Sequence, residues 1–139
     1  MATDANVLVA ELLRRRSREL LLHPELKLSV SAHAWSEARH ELRRRAVAMV
    51  RRGHLTEQEA TSVVAQAEEL VRDRILVVPV EVYQPFEERA RVRVLRDLTD
   101  WPTVALAMAT GAGIWTNEED FCGCGLPVWS TGSLLAVLA

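Results

Sequence analysis

Cysteine is nearly absent. Cys122 and Cys124 are the only two, one residue apart, a spacing too tight for a relaxed disulfide and unlike the pairs that hold structural zinc. They read as free thiols of a reducing compartment. No apolar run nears the roughly 20 residues that cross a bilayer, and Asp4 and Glu11 interrupt the start too early for a secretory leader. No membrane role and a cytoplasmic location are therefore expected. There is no internal repeat and no low-complexity linker, and 139 residues suffice for one domain with a real core but not for two, so a single domain over residues 1–139 is expected.

Half of the residues are apolar and a quarter charged, the balance of a chain that folds around a core. The net charge of -2 conceals two unlike halves. Residues 1–54 carry eleven basic against six acidic side chains, and residues 55–139 carry six against thirteen. A basic surface beside an acidic cluster suits an enzyme that draws a polyanion toward bound cations.

Patterning predicts alternating strands and helices. Val7, Leu8, Val9 and Ala10 form a short apolar run read as a strand, followed by a helix over residues 11–22. His23 and Pro24 stop that helix, and residues 26–30 alternate as a second strand. Residues 33–50 repeat apolar positions at threes and fours and end on Arg51, Arg52 and Gly53, a helix with a cationic last turn and a glycine stop. Thr56 with Glu59 forms a capping box for a helix reaching Arg74. The β-branched run 75–80 reads as a central strand buried on both faces. Further helices are expected over 83–93 and 102–109, strands over 114–116 and 127–129, and a last helical turn or two over 133–138. The sum is an α/β chain: a three-layer α/β/α sandwich with a central, mostly parallel sheet of four or five strands.

Such sheets gather functional groups at the carboxyl ends of their strands, and acids fall there: Asp4 at the first strand, Glu37 early in the helix after the second, Asp97 with Asp100, then Glu118 with Asp120 after the fourth. Clustered carboxylates without Cys or several His favour magnesium or manganese over zinc or copper. Such a cation offsets the charge built up in phosphodiester hydrolysis and lowers the pKa of an attacking water.

Three stretches carry a family resemblance. They are Asp4-Ala5-Asn6-Val7-Leu8-Val9 with Glu37 beyond it, Arg96-Asp97-Leu98-Thr99-Asp100-Trp101-Pro102, and Ile114-Trp115-Thr116-Asn117-Glu118-Glu119-Asp120-Phe121. Together they resemble the PIN domain, particularly its VapC-type toxin branch. The resemblance implies a PIN-like fold and a Mg2+- or Mn2+-dependent ribonuclease. It implies Asp4, Glu37 and Asp100 as metal ligands, with Asp97 the alternative to Asp100. Where the family usually has an Asp two residues after the Thr, this chain has Glu118, one methylene longer, so Asp120 is an alternative ligand. Asn6 and Thr116 would orient carboxylates or water from behind. An RNA substrate, an antitoxin whose C-terminal segment plugs the groove, and a homodimer are implied as partners.

Plainer readings compete. Asp100 also suits the N-cap of the helix at Pro102, Glu118 and Glu119 a solvated turn, and the runs 14–16 and 43–45 a solvated arginine face as well as a phosphate contact. His33 and His40 flank Glu37, which opens a transition-metal site on that helix. The four Trp residues suit a core, with Trp101 the candidate for stacking a base. Two other Asp-bearing classes fail on residue identity: a haloacid-dehalogenase pattern wants an Asp where Asn6 stands, and a receiver domain wants a late lysine where Lys27 is the only one. A stand-alone PIN nuclease and a non-catalytic PIN-like adaptor remain as alternatives to the toxin.

Overall fold

The structure, a computed structural model, describes residues 1–14, 17–94 and 96–138, with residues 17 and 18 described by backbone alone. Arg15 and Arg16 of the first arginine run lie outside the described residues, and the single helix expected over 11–22 is corrected just before them: one helix ends at Leu13 and Arg14 is extended, with φ -92° and ψ 129°. Five strands form one sheet: β1 (Ala2–Thr3), β2 (Leu28–Ser31), β3 (Ile75–Val78), β4 (Ile114–Trp115) and β5 (Val128–Trp129), in the order β3-β2-β1-β4-β5 with every pair parallel. The chain runs outward from β1 to β3 on one side, then returns to add β4 and β5 on the other. The carboxyl end of β1 is thus the switch point of the sheet, where side chains from both halves meet.

Helices cover both faces, as the alternating pattern implied. On one face α1 (Ala5–Leu13), α2 (Ser17–Leu21), α3 (Ala32–Arg51), α4 (Glu57–Arg74) and α8 (Thr131–Leu138) share a core containing Leu8, Leu12, Leu42, Val71 and Trp115. On the other, α5 (Val80–Tyr83), α6 (Glu87–Arg93) and α7 (Trp101–Thr110) pack Tyr83, Ala90, Val104 and Leu106 against Ala2 and Ile114. Successive strand residues serve opposite cores: Ile114 faces the second and Trp115 the first, the two-residue period of a pleated strand.

Two strand expectations are corrected. The apolar run 7–10 is helix, not strand. Asp4 accepts a hydrogen bond from the Val7 amide at 2.7 Å and starts α1 directly after a two-residue strand, and Val7, Leu8 and Val9 are all buried because α1 is wrapped by core. A short apolar run does not distinguish a buried strand from a buried helix, and here the cap decides. The run from Ile75 is a strand, but at the sheet's edge instead of its centre, with Leu76 66 % exposed. Its β-branched composition reports strand propensity, not position.

The helical hairpin follows its sequence closely. Ser31 caps α3 through the Ala34 amide at 3.0 Å, and Thr56 and Glu59 close the capping box that opens α4. No described helix is long and apolar enough to cross a membrane.

Candidate metal centre

The carboxyl edge of the sheet opens into a small cleft of about 50 Å³, lined by Asp4, Asn6, His33, Glu37, Asp100 and Glu118 together with neighbouring backbone and small side chains. Local rules place each carboxylate. Asp4 is the N-cap of α1 at the end of β1, which fixes its Oδ1 on the Val7 amide. Glu37 lies in the second turn of α3, after β2. Glu118 follows β4, and its amide donates to Thr116 Oγ1 at 3.1 Å. Asp100 ends a short 3-10 turn (Leu98–Asp100) that leads into α7.

Each acid has a different partner. Asp4 is buried, and its second oxygen accepts from the Thr116 hydroxyl. Glu118 accepts from the Asn6 amide, and Glu37 pairs with His33 at 3.0 Å. Asp100 differs: its Oδ2 is buried with no hydrogen bond among the described residues, and although the residue stands at the N-cap of α7 its side chain makes no capping bond. The plain reading of Asp100 as a helix cap is therefore not what the geometry shows.

Electrostatics ties these groups together. Burial pushes the Asp4 carboxyl up to about 6, with Glu118 and Asp120 adding to the rise while the Thr116 and Val7 hydrogen bonds oppose it. Asp100 is raised to about 7, first by desolvation and then by the charges of Asp97, Asp120, Asp4 and Glu118. Neighbouring carboxylates thus bear on Asp4 and Asp100 from inside and outside the cleft, an arrangement that a cation would relieve.

The sequence-derived candidates divide accordingly. Asp4, Glu37, Asp100, Glu118 and Asn6 line the cleft, and Thr116 anchors Asp4 from below. Asp97 and Asp120 stand off its walls. Asp97 is turned back on the Thr99 amide and hydroxyl, which hold it below the usual carboxylate range, and Asp120 acts on Asp4 and Asp100 through its charge. His33 is in the cleft as the partner of Glu37, while Thr103 lines it without any signal in the sequence. Trp101 packs on Tyr83, ring centroids 5.9 Å apart, beneath the Arg91 guanidinium. Arg43 pairs with Glu68, and Arg44 and Arg45 with Glu41.

These residues suit a hard divalent cation. The donors are carboxylate oxygens, and Asp100 Oδ2 is a buried acceptor that receives no hydrogen bond among the described residues. Among the described residues no three His, Cys, Asp or Glu side chains are yet drawn tightly enough to chelate. Thr116, Asn6 and His33 each engage one of the carboxylates, Asp4, Glu118 and Glu37 in turn.

Comparison with known proteins bears on the fold and the family. The chain resembles a toxin-antitoxin complex from Klebsiella pneumoniae, at 17 % identity over 92 % of this chain and 94 % of that one, with a TM-score of 0.59. It likewise resembles FitAcB from Neisseria gonorrhoeae, at 19 % identity over 92 % of this chain and 95 % of the other, with a TM-score of 0.62. At these identities the likeness is one of fold. No curated protein sequence matches the chain. The PIN domain model does, over residues 3–139, which takes in every carboxylate of the cleft, so the chain belongs to the PIN domain family.

Proposed function

We propose that residues 1–139 act as one domain, a divalent-metal-dependent ribonuclease of the VapC-type branch and the toxin of a toxin–antitoxin pair. The observation that carries the nuclease reading is the meeting of Asp4, Glu37, Asp100 and Glu118 in one cleft with Asp100 Oδ2 unsatisfied. The toxin reading draws on the solved toxin-antitoxin complex of the same fold.

In this reading Asp4, Glu37, Asp100 and Glu118 hold Mg2+ or Mn2+, and Asp97 and Asp120 supply negative potential from outside. A divalent cation held there would supply charge neutralisation at the phosphoryl oxygens and a more acidic attacking water. The chain does the rest. Thr116 and the Val7 amide fix both oxygens of Asp4, so its reach into the cleft does not depend on side-chain search. Asn6 steers the long Glu118 side chain, which offsets the methylene that separates it from an Asp. His33 holds Glu37 at the rim. Asp4 and Asp100 must release protons that burial and mutual repulsion encourage them to keep, so proton and cation compete for the same oxygens.

The test is cleavage of mixed structured RNA and single-stranded DNA with Mn2+, with Mg2+ and with chelator, using Asp100→Asn as control. Metal-dependent RNA cleavage that the control lacks is expected; cleavage by the control equal to the parent's defeats the assignment. A second reading, a binding adaptor without catalysis, draws on the spacing of the acids, no three of which are gathered for chelation among the described residues. It predicts no Mn2+ uptake in calorimetry. Rescue of growth by the neighbouring reading frame separates a toxin from a stand-alone nuclease.

A further inference from the structure

Glu11 is fully buried in α1, and its Oε2 makes no hydrogen bond among the described residues. A buried carboxylate half satisfied is expensive, and an apolar side chain of similar volume is often the more stable choice. What Glu11 supplies is a single contact, through Oε1, from the Thr131 hydroxyl at 3.1 Å.

That contact controls a network. Thr131 Oγ1 also accepts from Trp115 Nε1 at 3.1 Å and from Asn117 Nδ2 at 2.9 Å, while the Thr131 amide donates to Asn117 Oδ1 at 2.8 Å. With two donors already on its oxygen, the hydroxyl must send its proton elsewhere, and Glu11 is the acceptor that receives it. The Asn117 amide is thereby held in one orientation by both its ends. Asn117 lies between Thr116, which bonds Asp4, and Glu118, which bonds Asn6. Glu11 stands seven residues beyond Asp4, about 10 Å along the helix, and lines no part of the cleft.

We propose that Glu11 is a positioning residue that, through Thr131 and Asn117, fixes the segment carrying Thr116 and Glu118 at the metal centre. This rests on the metal-dependent reading of the cleft, so the experiment measures the segment and the ion separately. Hydrogen exchange of the 116–118 amides is followed in metal-free protein, and Mn2+ is titrated calorimetrically, for the parent, Glu11→Met, Glu11→Gln, Thr131→Val and Asp4→Asn.

Glu11→Met should melt at or above the parent's temperature, yet exchange faster at 116–118 and bind Mn2+ about tenfold more weakly, the scale of losing an outer-shell support. Thr131→Val should do the same to exchange and binding, and carries the comparison should Glu11→Met fail to fold. Glu11→Gln keeps an acceptor toward Thr131 and should stay within about twofold of the parent. Unchanged exchange in both Glu11→Met and Thr131→Val overturns the inference. So does parental Mn2+ affinity in both while Asp4→Asn has lost it, an outcome that leaves the metal centre standing. If the parent itself takes up no Mn2+, the metal reading fails, and the exchange rates alone decide whether Glu11 orders the segment.

Discussion

The α3–α4 hairpin and the cleft stand side by side in one fold, and their contacts differ in reach. In the hairpin most of the bonds span one helical turn, Ser31 to Ala34, Thr56 to Glu59 and back, Glu41 to Arg45, and the longer reach of Arg43 to Glu68 joins its own two helices. Its buried positions, Ala34, Ala38, Leu42 and Ala46, recur at helical spacing. In the cleft, Asp4 meets Thr116 and Asn6 meets Glu118 across 112 residues, and the groups brought together repel. One region is stabilised by what it contains; the other is held in place by the fold around it, as is common where a site must bind charge.

Four substitutions or conditions would sharpen or break that contrast. The largest effect is expected from Asp4→Asn, which should abolish RNA cleavage while leaving the melting temperature level or higher. Asn still caps α1, and the change removes a buried charge; a mutant that unfolds would show the cleft to be a structural keystone after all. Leu42→Ala, at a fully buried site in the hairpin, should cost about 2–5 kcal/mol by denaturant unfolding and leave the Mn2+ affinity of the folded protein unchanged.

Metal and pH come next. Asp4 and Asp100, raised to about 6 and 7, favour folding below the ordinary carboxylate pKa of about 4, and that contribution is lost as pH climbs through their folded values. Metal-free protein should therefore lose stability between about pH 4 and 7, less from half-buried Asp100 than its shift suggests because solvent screens it. Saturating Mn2+ should reverse the trend, raising the melting temperature by about 5 to 10 °C at neutral pH and hardly at all at pH 4. A flat thermal response to Mn2+ across that range would break the link between repulsion and cation binding. Thr56→Ala is the smallest: loss of about 1 kcal/mol from the capping box, read by thermal melting, with cleavage rates unaltered.

The same contrast governs what could be read in the sequence. The α3 and α4 helices are legible because caps and periodicity are written within a few residues of each boundary. Asp4, Glu37 and Asp100 are legible as acids at strand ends, and the structure brings them into one cleft with Glu118. What the sequence did not disclose depends on distant partners. Val7, Leu8 and Val9 look like a strand until the cap at Asp4 is seen, and Ile75, Leu76, Val77 and Val78 look central until the sheet order is known. Asp97 is legible as an acid beside Asp100, but its engagement with the Thr99 amide and hydroxyl is not. His33 carried a visible signal, its four-residue spacing from Glu37, but spacing alone did not distinguish a metal ligand from a carboxylate's partner.

Sheet order also has a consequence for the chain as it is made. β1 is synthesised first, yet β4, which flanks it and leads to Thr116 and Glu118, arrives more than 110 residues later. A growing polypeptide that has finished α3 and α4 already holds Asp4 and Glu37 but has no wall opposite them. Domains consolidate as they emerge from the ribosome, and here the acidic cleft cannot close until residues 114–118 exist, so the groups of the site stay apart until synthesis is nearly complete.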